Sequence, residues 1–177
     1  MKTRVIAVAG VGLAVALLWP SDLIVERIQP NDRSAIGLLR SLAASQEEFR
    51  ASALVDQDGD GRGEYGTFEE LCGTVPCRGT GVVADPTFLS ANFGRTAALD
   101  ARGAASRGGY QFLIELPDAS GLALTEKDVL ARGASPADAD RQETGWSCRA
   151  WPESVEAGTR VFAIDQDGRI WELLAAP

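Results

Sequence analysis

One long amphipathic segment constrains the fold of this 177-residue chain more than any other part of its sequence. From Asn31 onward, apolar side chains recur at helical spacing on one face, and polar side chains fall on the opposite face. The apolar stripe consists of Ile36, Leu39, Leu42, Ala43 and Phe49. Asn31 or Asp32 is suited to cap the first turn, and the pattern ends near residues 53–55. Because such a stripe must be covered, the sequence predicts a helix packed against a second layer.

The second layer is predicted in the C-terminal half, where strand patterns are concentrated. The segment Tyr110–Leu116 alternates large apolar residues and is stopped by Pro117. Further strands are predicted at Trp146–Trp151, Val161–Asp165 and Arg169–Leu173, the last two joined by a tight turn at Gln166-Asp167-Gly168. Helical turns are expected at Thr67–Leu71, Pro86–Phe93 and Thr125–Ala131, a short strand at Gly81–Ala84, and loop over most of residues 118–143. The predicted fold class is α+β, with a long N-terminal helix packed on a C-terminal antiparallel sheet.

The N-terminus carries the signals of a membrane or export segment. Lys2 and Arg4 precede fifteen uncharged, mostly aliphatic residues at 5–19. This charge placement predicts a cytoplasmic N-terminus. Fifteen residues are few for a spanning helix and fit a signal peptide, but no small-residue cleavage site is evident. Residues 1–30 are therefore interpreted as a hydrophobic anchor or a signal segment, and residues 31–177 as a globular head outside the cytoplasm. An inner-membrane anchor with a periplasmic or extracellular head and a secreted form both remain open.

Composition excludes several functions. The chain has no histidine, which removes the commonest general base and the usual Ser-His and Cys-His nucleophile systems. The net charge of −8 argues against nucleic acid as a partner, because phosphate binding needs a basic surface. No local pair of carboxylates suggests glycoside hydrolysis. The sequence therefore predicts a protein that is not an enzyme.

An acidic run after the helix is the candidate metal site. Asp56, Asp58, Asp60 and Gly61 match the start of a calcium-binding loop, in which alternating carboxylates surround a tight glycine turn. Glu64 stands where such loops carry a further ligand, but the final bidentate glutamate is replaced by Thr67. Two interpretations stay open: a weak calcium site formed by Asp56, Asp58, Asp60 and Glu64, or a solvated acidic turn.

Two other residue types suggest local structure. Cys72 and Cys77 are close enough in sequence to close a small disulfide loop, which is the favoured pairing, and Cys148 is the alternative partner of either one. The tryptophans Trp146 and Trp151 are five residues apart, so a regular strand would point them to opposite faces of the sheet. One of the two is then expected to pack beneath the helix.

Several blocks together resemble bacterial type IV pilins and the pseudopilins of type II secretion. The run Asn31–Leu42 (NDRSAIGLLRSL) and the following Gln46–Phe49 are similar to the helix of pilin-like proteins. The blocks DGDGRGEYG, GYQF, WSCRAWP and RVFAIDQDGRI also resemble pilin-like envelope proteins and follow in the expected order. The resemblance implies an α+β head carried by one N-terminal helix, a structural, assembly or interaction role in the envelope, and other pilin-like or secretion-system subunits as partners.

The N-terminus departs from the pilin pattern. Prepilins resemble one another most in a G-F-T-L-I-E processing motif, whereas this chain begins MKTRVIAVAGVGL and has no acidic residue at 5–19. In pilus assembly that glutamate neutralises the N-terminal amine of a neighbouring subunit inside the bilayer. The expectation is a membrane-tethered, pilin-like protein rather than a standard filament subunit. The alternative function is a secreted or anchored binding module, and dependence of its binding on calcium stays open.

Overall fold

The computed structural model describes residues 30–90 and 99–173. Within these ranges the chain forms four α-helices, one 3-10 turn and six strands. The helices are α1 (Pro30–Ala51), α2 (Phe68–Leu71), α3 (Glu126–Arg132) and α4 (Ala139–Thr144), with the 3-10 turn at Pro136–Asp138. The strands are β1 (Ala105–Arg107), β2 (Tyr110–Pro117), β3 (Ala123–Thr125), β4 (Ser147–Pro152), β5 (Val161–Asp165) and β6 (Ile170–Leu173).

The six strands form one antiparallel sheet in the order β1-β2-β4-β5-β6. Strand β2 is long enough to pair with two short strands on the same side: β1 pairs with its first half and β3 with its second half. Its other side pairs with β4 along Tyr110–Glu115. Gly108 and Gly109, both at positive φ, make the two-residue β1–β2 turn, a conformation that glycine adopts without strain. Strand β6, the last in this order, is one edge of the sheet.

Helix α1 covers one face of this sheet, called the inner face here. Leu39, Leu42 and Phe49 are at most 1% exposed, which confirms the predicted apolar stripe. Side chains at alternate positions of the strands meet the helix, and those of Phe112, Ile114, Cys148, Ala150, Phe162 and Ile164 are buried. This arrangement confirms the α+β class and the helix-on-sheet packing.

Within the described residues, α1 is shorter than the long N-terminal helix that the sequence predicts. It runs for 22 residues, from Pro30 to Ala51, and Ala53 at φ +50° follows its end. Residues 1–29 lie outside the described ranges, so the predicted segment 1–30 and the apolar run 5–19 remain predictions. In the described ranges no helix combines the length and apolarity needed to cross a bilayer.

The strand predictions were more accurate than the predictions for the connections. Strands β2, β4, β5 and β6 fall within one or two residues of their predicted bounds. The helical turn predicted at Thr125–Ala131 is confirmed as α3, but the rest of residues 118–143, predicted to be loop, contains β3, the 3-10 turn and most of α4. Residues 81–84 form no strand, and part of the predicted turn at 86–93 lies outside the described residues. Short polar helices such as α4 have too few turns to show a clear apolar period.

The start of α1 also differs from the prediction. Pro30, the first described residue of this part of the chain, is already helical, so Asn31 and Asp32 lie inside α1 instead of capping it. Asp32 is 1% exposed, and its carboxylate accepts a hydrogen bond of 2.7 Å from the Tyr110 hydroxyl of β2. The predicted division of the two tryptophans is confirmed: Trp146 is buried and packs near Tyr65 under the helix, and the alternation of β4 points Trp151 to the opposite face.

Candidate functional site

The acidic loop that follows α1 folds around Asp56. The two oxygens of Asp56 accept hydrogen bonds from the backbone N–H groups of Gly59 at 2.8 Å and Gly61 at 3.2 Å. Both glycines have positive φ, which lets the chain turn tightly enough for these bonds. The structure thus brings together three of the four predicted ligands: Asp56, Asp58 and Asp60 each offer one carboxylate oxygen, and these oxygens lie within 4.8 Å of one another.

Glu64, the fourth predicted ligand, is placed elsewhere. Its side chain is fully buried, and Oε1 accepts a 2.8 Å hydrogen bond from the backbone N–H of Gln57. Burial raises the pKa of Glu64, while the Gln57 amide and the Arg78 charge act in the opposite direction. Glu64 is not among the carboxylates that converge on the acidic loop. Glu64 instead holds the two ends of the acidic loop together through its hydrogen bond with the Gln57 N–H.

Two carboxylates that sequence reasoning missed come to the loop from α4. Asp58, Asp140 and Glu143 each offer an oxygen within 4.8 Å of the others. Glu143 is 7% exposed, and its Oε1 is buried without a hydrogen-bond partner. Burial raises the pKa of Glu143, and the nearby negative charges of Asp60 and Asp58 raise it further. The spacing of Asp140 and Glu143, three residues apart, would have placed them on one helix face if α4 had been predicted.

Arg62 lies beside this cluster of carboxylates and is mostly exposed. Its NH1 is 3.8 Å from Glu143 Oε2, and its Nε is 3.7 Å from Asp60 Oδ2. Both distances exceed that of a hydrogen bond. A cleft of about 430 Å³ opens here, lined by Arg50, Ala51, Gly61, Arg62, Gly63 and Glu143 among others. The cleft gives solvent access to the edge of the cluster.

A buried polar network fixes the acidic loop against α2 and α4. The Arg78 guanidinium donates from Nε to Glu70 Oε1 at 2.9 Å and from NH2 to the Tyr65 carbonyl at 2.8 Å. The Gln142 amide of α4 donates to the Pro117 carbonyl and accepts from the Gln57 amide at 3.1 Å. Buried polar groups are costly unless they are paired, so this network strongly favours one position of the loop relative to α4.

The outer face of the sheet is the second feature that could serve binding. Leu113, Arg149, Ala163 and Trp171 lie side by side across β2, β4, β5 and β6. Trp171 is 42% and Leu173 is 38% exposed. A cleft of about 310 Å³ on this face is lined by Arg102, Leu113, Arg149, Trp151, Val161 and Leu173. The Arg102 guanidinium lies 5.1 Å from the centre of the Trp151 ring, a cation–π distance.

All three cysteines lie in the described part of the chain and are buried. No disulfide joins Cys72, Cys77 or Cys148 to another of the three in the structure. Burial raises the pKa of the Cys77 thiol to about 11 and raises that of Cys148 as well. The predicted Cys72–Cys77 pairing stays a prediction that non-reducing peptide mapping would test.

Comparison with known proteins adds no relative. No protein-family model matches the chain, and neither a curated protein nor a solved structure matches it significantly. The class that the structure defines is an α+β head whose helix covers an antiparallel sheet and whose acidic loop abuts a short helix. The resemblance to pilin-like proteins remains a prediction from the sequence.

Proposed function

We propose that this chain is a non-enzymatic, pilin- or pseudopilin-like protein of the cell envelope with a role in assembly or interaction. The observation that supports the proposal most is the packing of α1 (Pro30–Ala51) along the inner face of the sheet. In this proposal residues 1–30 anchor the head to the membrane. The head would stand in the periplasm or outside the cell.

The buried acidic side chains support a structural rather than a catalytic role. Glu126 accepts backbone hydrogen bonds from Phe68 and Glu69, and Glu70 pairs with Arg78. Each of these carboxylates is used to hold backbone or a buried cation in place. A general acid or base must instead reach a substrate.

A second candidate is a secreted or anchored binding module, and the outer face of the sheet favours it. The cleft beside Trp151 and Leu173 combines apolar surface with the charges of Arg102 and Arg149. Glu115 neutralises part of that charge, because its Oε2 accepts from Arg149 Nε at 3.0 Å. A concave surface with few polar groups is typical of ligand sites.

The two candidates can be separated with the full chain in its native envelope. A photo-reactive amino acid is placed at Trp171 on the outer face, and the control position is Val155, which is 78% exposed on the β4–β5 connection. Assembly with other subunits predicts a membrane-bound chain that forms defined adducts with other envelope proteins from position 171 and not from 155. Mass spectrometry of the mature N-terminus reports whether the segment is retained, cleaved as a signal or processed as in prepilins.

A chain found only in the soluble fraction, with a cleaved N-terminus and no adduct at either position, would overturn the assembly proposal. Retention of that soluble form on a surface polymer, abolished by Trp151→Ala, would establish the binding module instead. The two outcomes differ in both fractionation and cross-linking.

A further inference from the structure

The carboxylates of the acidic loop and of α4 form one cluster around Asp58. Asp58 belongs to two converging groups, one with Asp56 and Asp60 and the other with Asp140 and Glu143. Within each group the oxygens are at most 4.8 Å apart. Calcium binds carboxylate oxygens at about 2.3–2.6 Å, so two ligand oxygens on opposite sides of one ion are about 4.6–5.2 Å apart. The spacing within each group therefore suits a large divalent cation.

The unpaired oxygen of Glu143 is a second observation at this cluster, beside the convergence of the carboxylates. Glu143 as a whole is 7% exposed, and its Oε1 is buried without a hydrogen-bond partner. A buried carboxylate oxygen is normally paired, because desolvation without a partner is costly. Arg62 does not supply the partner, since its NH1 is 3.8 Å from the other oxygen, Oε2. The charges of Asp58, Asp60 and Asp140 act against the charge of Glu143, and the Arg62 ion pair offsets them only in part.

We propose that Asp58, Asp140 and Glu143 bind a calcium ion between the acidic loop and α4. Asp60 lies at the edge of the site, where its Oδ1 already accepts the backbone N–H of Arg62 at 2.8 Å. Asp56 shapes the loop, because both of its oxygens accept backbone N–H groups. The site thus differs from the ligand set that the sequence pattern predicts: Glu143 acts in place of Glu64, and the ligands come from two distant segments.

Calcium fits this donor set better than magnesium does. The ligands are hard oxygens on an exposed loop and a short helix, which can adapt to the irregular coordination of six to eight oxygens that calcium accepts. Magnesium demands near-ideal octahedral geometry and keeps several of its waters. The cleft lined by Gly61, Arg62 and Glu143 leaves room for water molecules to complete the coordination.

The experiment titrates the full chain with calcium chloride, using calorimetry for binding and the unfolding temperature for stabilisation. We expect saturable binding with a dissociation constant of about 0.1–1 mM, the range of extracytoplasmic calcium modules. Glu143→Gln and Asp58→Asn should each weaken binding at least tenfold and remove the rise in unfolding temperature. Glu153→Gln, an exposed glutamate on the β4–β5 connection, is the matched control and should bind as the parent chain does.

The Glu143→Gln variant also carries a prediction that does not depend on binding. Without calcium it should unfold at a higher temperature than the parent chain, because it removes a buried negative charge from a cluster of like charges. The variant is therefore expected to fold, and its loss of calcium binding is not explained by unfolding.

Two results would overturn the proposal. The first is the absence of calcium binding up to about 10 mM, well above the affinity range of such sites. The second is calcium binding that Glu143→Gln leaves unchanged. If Glu64→Gln abolishes that unchanged binding, the ligands are those of the acidic loop without α4. Equal stabilisation by magnesium would overturn the choice of calcium.

Discussion

Glu126, the first residue of α3, is 1% exposed, and its carboxylate accepts hydrogen bonds from the first turn of α2. Its two oxygens accept the backbone N–H groups of Phe68 at 3.0 Å and Glu69 at 2.9 Å. Burial raises the pKa of Glu126 to about 8, although the amide hydrogen bonds from Glu69 and Phe68 act to lower it. The neighbouring charges of Glu69 and Glu70 raise it further. One residue thus couples the stability of this junction to pH.

The sign of that coupling follows from proton uptake. An unfolded glutamate has a pKa near 4.5, so between about pH 4.5 and pH 8 the folded chain holds a proton on Glu126 that the unfolded chain lacks. The free energy of unfolding therefore falls as pH rises through this window, by at most about 1.4 kcal/mol per pH unit from this group.

Urea unfolding at several pH values tests this prediction. Glu126→Gln should flatten the decline in unfolding free energy between about pH 5 and pH 8, whereas Glu48→Gln, at an exposed position on α1, should leave it unchanged. An identical pH slope in the parent chain and in Glu126→Gln would contradict the assignment.

At the scale of the element, α1 contains one glycine, at a position with room for a side chain. The segment after α1 contains another, at a position where the packing leaves no room for one. Gly37 lies on the exposed side of the helix, and a Cβ there would meet nothing within 4 Å. A Cβ on Gly66 would lie 2.7 Å from Phe49 Cε1 in the core. Gln46 fixes Gly66 in this position, because its amide both donates to the Gly66 carbonyl at 2.8 Å and accepts from the Gly66 N–H at 2.9 Å.

Alanine substitutions at the two glycines should therefore have opposite effects. Gly37→Ala is expected to raise the free energy of unfolding by about 0.5–1 kcal/mol, because alanine loses less backbone entropy in a helix. Gly66→Ala is expected to lower it by about 1–3 kcal/mol, the usual cost of forcing an extra group into a packed core. Chemical denaturation of the two variants measures both. Destabilisation by Gly37→Ala would mean that a partner covers the exposed side of α1 around Gly37.

At the scale of the whole molecule, two tyrosine hydroxyls tie α1 to the rest of the head. Tyr110 of β2 donates to Asp32 at the start of the helix, over 2.7 Å, and Tyr65 donates to Glu47 near its end, over 2.6 Å. The Tyr110 hydroxyl is also 3.1 Å from the carbonyl oxygen of Arg160, and Asn31 Nδ2 donates to the Ala157 carbonyl. The first turn of α1 is thereby fastened to β2 and to the connection before β5.

Hydrogen exchange of the α1 amides should show separately how much each tyrosine hydrogen bond protects its end of the helix. Tyr110→Phe is expected to lower protection of the amides at residues 34–39 and to cost about 1–3 kcal/mol overall, because the hydrogen bond involves a carboxylate. Tyr65→Phe is the matched control and should affect residues 45–51 instead. Equal loss of protection along the helix in both variants would show that α1 opens as one unit.

Much of the architecture could be predicted from the sequence. The stripe containing Leu39, Leu42 and Phe49 and the alternation at Tyr110–Pro117 each record burial on one side of a regular element, and the Asp-Gly turn marks the β5–β6 hairpin. These signals are local, because the period of a helix or strand is set by its own backbone geometry.

The candidate site depended on contacts between segments far apart in the chain. The DxDxDG pattern correctly brought Asp56, Asp58 and Asp60 together, but its spacing pointed to Glu64, which turns inward to the Gln57 amide. Glu143 reaches Asp58 only because the buried network around Gln142 holds α4 beside the loop. The sequence by itself determined the helix, the strands and the acidic turn through local periodicity. The tertiary structure alone decided which carboxylates meet, because the pairing of buried polar groups is a property of the packed chain.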